Sequence, residues 1–232
     1  MNSIKQTARI AGLLYLIFML TFIFSSVVRS RMIVFGDAVV TANNIMAFEW
    51  LFRIGFISDI LSAVFFLLAA WALYVLLKPV HKNLALLFLL LNLGGVVVES
   101  MNMINLFAAL LFLSGADDLK VFEVSQLQSF AMSFLNLYQS GFMIAQVFYG
   151  AWLFPLGYLV FKSNFLPRSL GILLMVDCVG ILIWFFQFFL LPNYPAISYP
   201  SYAIGFIAEL SLGLWLLVKG VNEQKLSLIE AN

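Results

Sequence analysis

The sequence predicts an all-α polytopic membrane protein, a six-transmembrane-helix bundle with both termini cytoplasmic and a single integral domain over residues 1–232. Three observations predict it. First, 64% of the residues are hydrophobic and 10% are charged, whereas soluble domains carry about 25% charged residues. Second, the apolar residues form continuous runs of the ~20 residues that a helix needs to cross a bilayer. A transmembrane β-barrel would instead alternate apolar and polar positions in segments of about ten. Third, Lys and Arg collect between the runs, mostly on one side. The net charge of +1 offers no nucleic-acid surface, so the solvating partner is the lipid bilayer.

In chain order, the first apolar run spans residues 10–28 and follows Lys5 and Arg9. It exceeds the ~7–15 residues of a signal-peptide core and lacks a small-residue cleavage site, so it reads as a retained helix. A polar stretch follows, in which Asp37 after Gly36 has the chemistry of an N-cap. The helix it opens is expected to run on into the second span, residues 50–77, and carries Glu49 and Arg53 four apart, where they can pair. Pro79 ends that span. The third covers 84–113, and an acidic loop with Asp117, Asp118 and Glu123 leads to the fourth, 130–161, where Pro155 predicts a kink. The fifth covers 170–191. The stretch PNYPAISYP reads as too proline-rich for a helix, and the sixth span covers 202–218 before Lys219 and Gly220.

Charge orients these spans. Segments on the amino-terminal side hold Lys5, Arg9, Lys78, Lys82, Lys162, Arg168, Lys219 and Lys225, while the opposite side holds only Arg29, Arg31, Arg53 and Lys120. The positive-inside rule then assigns the amino-terminal side to the cytoplasm.

Four phrases also carry a resemblance: TARIAGLLYLI near the start, GDAVVTANNIMAFEWLFRIG before the second span, LYVLLKPV at its end and LWLLVKG near the terminus. Together they resemble the bacterial multi-pass family known as domain of unknown function 4386, over about Thr7 to Gly220. The resemblance implies a six-helix prokaryotic inner-membrane protein and brings no activity or functional residues with it.

The residues that can carry function are polar groups inside the apolar spans. The third span holds Asn92, Glu99, Asn102 and Asn105; Asp59, Asp177 and Glu209 lie in the second, fifth and sixth, and Gln146 in the fourth. Intramembrane acids are costly and usually face a bundle interior or a wet cavity. Counting ~1.5 Å per residue from the inner boundaries gives two layers. Asn92, Asp177 and Glu209 come out near the midplane, and Asp59, Glu99, Gln146 and Asn102 further out. Asn92, Glu99 and Asn102 share one face, which makes the third span the expected wall of any cavity. Gly205 and Gly213 flank Glu209 and allow a close neighbour. Arg29, Arg31 and Arg53, with Glu49, mark the outer rim as a cationic mouth, and Trp184 to Phe189 read as an interface belt.

Each group also has a purely structural reading. Asp59 and Glu99 suit either an outward-opening site for a cation or polar substrate, or hydrogen bonds between helices. Asp177 and Glu209 have no Lys or Arg at their depth and suit either proton carriage or a shared hydrogen bond. The single His81 excludes a histidine-cluster metal site. The chain lacks phosphate-binding, dinucleotide-binding and standard hydrolase motifs, so no cofactor is implied. Three classes remain. The first is a non-catalytic membrane component that binds a partner or a hydrophobic ligand. The second is a small ion- or proton-coupled transporter built as two inverted halves of three spans. The third is an intramembrane enzyme acting on a lipid-like substrate, with Asp59 and Glu99 or Asp177 and Glu209 as its acid–base pair.

Overall fold

The computed structural model describes residues 4–222; Lys225, used above to orient the chain, lies outside them. Seven α-helices are present among the described residues: α1 (Ile4–Met32), α2 (Ala38–Ala47), α3 (Glu49–Leu77), α4 (Lys82–Leu113), α5 (Val124–Lys162), α6 (Arg168–Leu190) and α7 (Tyr199–Val218). All but α2 are long and apolar enough to span a membrane. Most exceed the apolar runs because their caps lie outside those runs. Asp37 accepts a hydrogen bond from the Val40 amide at 2.9 Å, His81 Nδ1 accepts from Leu84 N at 3.3 Å, and Glu123 and Gln126 form a capping box that starts α5.

Two local expectations are corrected. The helix opened by Asp37 does not continue into the second span: Phe48, at φ −128 and ψ 38, separates α2 from α3. The proline-rich stretch is largely helical. Pro195–Ser198 form a 3-10 turn, and Pro200 sits in the first turn of α7, where the amide it lacks has no intrahelical partner to lose. Pro155 lies buried within the unbroken α5.

The six long helices close into a ring. Going round it, α1 packs on α3, α3 on α4, α4 on α5, α5 on α6, α6 on α7, and α7 back on α1. Two seams are drawn tight by glycine. A Cβ on Gly12 would lie 2.5 Å from the Leu217 amide nitrogen and 2.7 Å from the Gly213 carbonyl, locking α1 to α7. On the other side, Gly171 of α6 and Gly157 of α5 press backbone to backbone, with 2.5 Å between a Cβ on Gly171 and the Gly157 carbonyl. With little hydrophobic drive between helices inside lipid, such close approach gives the dispersion contact that holds them together.

Two apolar clusters fill the ring. The larger gathers around Leu73, Leu76, Trp152, Leu156, Leu212 and Leu216 toward the end that carries the chain termini. The smaller lies at the opposite end, where α2 inserts Ile45 against Met103, Leu106 and Leu135. The four acids inside the spans, Asp59, Glu99, Asp177 and Glu209, border the space between them. On the outer surface of α3, Trp50 is 75% and Trp71 55% exposed. They stand about 31 Å apart along the helix, matching the ~30 Å hydrocarbon thickness and the interfacial preference of tryptophan.

Candidate functional site: an intramembrane chamber

One chamber of about 310 Å³ lies inside the ring, and every membrane-spanning helix contributes to its wall. All four intramembrane acids border it: Asp59 from α3, Glu99 from α4, Asp177 from α6 and Glu209 from α7, with Gln146 from α5. Residues expected in the midplane layer (Asp177, Glu209) and in the outer layer (Asp59, Glu99, Gln146) thus border one cavity.

The acids differ in how they are held. Asp59, 2% exposed, accepts hydrogen bonds from Ser25 and Arg29, both on α1 and one helical turn apart, and the guanidinium makes an ion pair with it. Arg29 also stands 5.4 Å from the centroid of the Tyr138 ring. Ser62 donates to the Asp59 backbone carbonyl at 2.7 Å. Glu99 lies within electrostatic reach of Asp59 and Arg29, and its Oε2 makes no hydrogen bond within the described residues. Asp177 is fully buried, with neither carboxyl oxygen hydrogen-bonded. Its Oδ1 points at Gly205 of α7, 2.9 Å from where a Cβ would stand. The second glycine near Glu209 behaves differently: Gly213 accommodates Leu16 and Tyr15 of α1. Glu209 is half-buried, faces the chamber and lies within electrostatic reach of Asp177 and Tyr15.

The floor of the chamber, toward the chain termini, is sealed by fully buried aromatic packing. Tyr15 meets Phe66 edge-on at 5.9 Å, and Phe66 meets Trp152 at 5.1 Å. The far end narrows between Phe22, Phe142 and Trp184. Phe22 and Phe142 stack at 6.2 Å between centroids, and Trp184 stands edge-on to Phe142 at 5.9 Å. These three rings also border a second cavity of about 370 Å³ that holds Arg29, Ser26, Ser30, Tyr138 and Gln139. Helices α1 and α7 touch at Gly12; beyond that contact two chamber-lining residues are also exposed on the outer surface, Ile23 of α1, about three turns further along, at 41% and Phe206 of α7 at 52%.

Not every sequence candidate reaches the site. Asn92 is fully buried away from the chamber, and its amide makes no hydrogen bond within the described residues. Asn102 is also outside the wall: it donates to the Tyr138 carbonyl at 2.9 Å and accepts from Asn105 at 3.1 Å, while its amide supports Glu99 from the same helix. Only Glu99 and Met103 represent α4 in the wall. The expected cationic mouth reduces to Arg29. Arg31 is exposed and borders neither cavity, and Arg53 pairs with Glu49 at 2.7 Å on the surface. Trp184, expected in the interface belt, faces inward instead. Tyr15, Ser25, Phe22 and Phe142 were not singled out from sequence. Ser25 could have been, because the i, i+4 spacing of Ser25 and Arg29 forms a polar patch on an otherwise apolar face of α1.

Residues 10–220 match the family described as Domain of unknown function (DUF4386). The chain belongs to this family. It is also similar to an uncharacterized protein of Archaeoglobus fulgidus, 28% identical over 156 residues that cover 65% of this chain and 74% of that protein. No solved structure matches the chain.

Proposed function

We propose that this multi-pass membrane protein is a non-catalytic membrane component that binds a hydrophobic or amphiphilic small ligand taken from the bilayer into the chamber. One observation carries the reading: a single cavity bounded by all six spanning helices combines apolar and aromatic walls with a few convergent polar groups. Its volume falls in the ~300–1,000 Å³ range of small-molecule sites, and Ile23 and Phe206, which line the chamber and are exposed on the outer surface, mark the route from lipid. By the positive-inside rule, the floor and termini face the cytoplasm, the Arg29 cavity faces outward, and the membrane is the cytoplasmic membrane.

A second reading, a small proton-coupled carrier, is favoured by the arrangement of the acids. Within each half of three spans, the middle and last helices carry one each: Asp59 on α3 and Glu99 on α4, then Asp177 on α6 and Glu209 on α7. An inverted pair of three-helix halves meeting around a midplane site is the architecture of many secondary carriers. The aromatic constriction shared by the two cavities would serve as its outer barrier.

The binding reading is tested in lipid nanodiscs with a photoactivatable, uncharged diazirine alcohol, followed by peptide mapping. Labelling is expected at chamber residues such as Phe66, Tyr149 and Glu209, and it should vanish from them in Ala63→Trp, which fills the space beside Asp59. Labels confined to lipid-facing positions such as Leu20 and Leu137, unchanged by Ala63→Trp, would refute binding in the chamber.

A further inference from the structure

We propose that the ligand of this chamber is an organic cation with an apolar or aromatic body, held by Glu99, Asp177 and Glu209 and by the surrounding rings. The inference rests on the ligand-binding reading above and adds the charge and shape of the ligand. Four carboxyl groups border the chamber and no Lys or Arg among the described residues does so. The nearest guanidinium, Arg29, is committed to Asp59 from the neighbouring cavity. Three carboxyls therefore have no basic partner of their own.

Their state points to something that enters the chamber. Asp177 is fully buried with two unpartnered oxygens, and Glu99 is 7% exposed with one. Buried polar groups are ordinarily hydrogen-bonded, and a buried acid left without any partner is costly. Interhelical hydrogen bonding, the purely structural reading, would have joined these groups to neighbouring helices. Asp177 instead lies against Gly205 of α7, which has no side chain to offer it a hydrogen bond. The acids also approach from different helices, and no three acidic, imidazole or thiol groups among the described residues converge as a metal site requires. A compact metal ion would thus lack the close oxygen array it needs, whereas an extended organic cation can reach separated carboxylates. The walls suit the same guest, because Phe22, Phe66, Phe142, Tyr149 and Trp184 line the chamber and aromatic faces attract cations within about 6 Å of their centroids.

The test compares tetraphenylphosphonium with tetraphenylborate, which share a four-phenyl body and carry opposite charge. Binding is measured by equilibrium dialysis to protein in phosphatidylcholine nanodiscs, with empty nanodiscs as baseline. Saturable phosphonium binding at one per chain is expected, at least tenfold tighter than borate. Asp177→Asn/Glu209→Gln should weaken phosphonium at least tenfold while leaving borate unchanged or tighter, and Glu99→Gln should act in the same direction from another helix. Retained burial of Cys178, read by maleimide reactivity, shows that each variant is folded. Equal affinities for the two ions, or a folded acid-to-amide variant that binds phosphonium normally, would overturn the inference. Loss of ion binding with continued alcohol labelling rejects the cation and leaves the chamber reading intact. Phosphonium binding that survives Ala63→Trp rejects the chamber as its location.

Discussion

Arg29→Met tests whether the ion pair in the membrane interior holds α1 against α3. The substitution keeps an apolar stem and removes the guanidinium from Asp59. Asp59 is 2% exposed and Arg29 12%, so the pair belongs with buried ones, where loss of one partner costs ~3–5 kcal/mol. Two features reduce that cost. Ser25 still donates to the carboxylate, and the acid can take up a proton rather than stay charged. The expected loss is therefore ~2–3 kcal/mol, the upper range for a hydrogen bond to a charged group. Arg29→Met/Asp59→Leu removes both charges and should recover most of it, giving a coupling of ~2 kcal/mol. The assay is denaturation in bicelles, with a fluorogenic maleimide reporting on Cys178, the single cysteine, which is 6% exposed in the folded protein. If Arg29→Met costs as much in the Asp59→Leu background as in the parent, the guanidinium acts elsewhere and the reasoning fails.

Three further outcomes follow from the geometry. Gly12→Val drives a side chain into the α7 backbone, 2.5 Å away at Cβ, and should lose ~1–3 kcal/mol by overpacking; a neutral result in the same unfolding assay would mean that the α1–α7 seam is not tight. Asn102→Leu removes the bond to the Tyr138 carbonyl and should cost about 1 kcal/mol while leaving diazirine labelling of the chamber unchanged, because Asn102 is outside the wall; loss of labelling would count against that assignment. Phosphonium binding should weaken as pH falls, by up to about tenfold per unit for each proton that competes with the cation. The competing acids are Glu99, Asp177 and Glu209, with Asp59 held by Arg29 and with Tyr15, Tyr138, Tyr149, Cys178 and Tyr202 as the other titratable groups around them. An affinity that does not change between pH 5 and 8 would reject the competition.

The helices were legible because lipid imposes a one-dimensional rule: each crossing must be long, apolar and closed in its own hydrogen bonds. Its reach ended where caps and turns follow local chemistry. At Phe48 a backbone break interrupts a pattern that reads as continuous, and at Pro200 a residue that usually stops helices starts one. The site was legible in its parts. Asp59, Glu99, Gln146, Asp177 and Glu209 all border the chamber, because a polar group in an apolar run has few other tolerable positions. Asn92 and Asn102 fit the same rule and the same face of α4 yet lie outside, since an uncharged amide is cheaper to bury against a helix than a carboxylate.

By itself the sequence determined the lipid-spanning class, the six crossings and which side chains bear charge inside them, since hydropathy and helix length depend only on neighbours along the chain. Tertiary structure alone decided that four acids from four helices share one chamber, that Arg29 answers Asp59 across the α1–α3 interface, and that Phe22, Phe142 and Trp184 meet above them. Helical periodicity specifies which residues share a face of one helix, but not which face of a neighbour it meets. That choice is made by packing, here by the close approach of α1 to α7 at Gly12 and of α5 to α6 at Gly157 and Gly171.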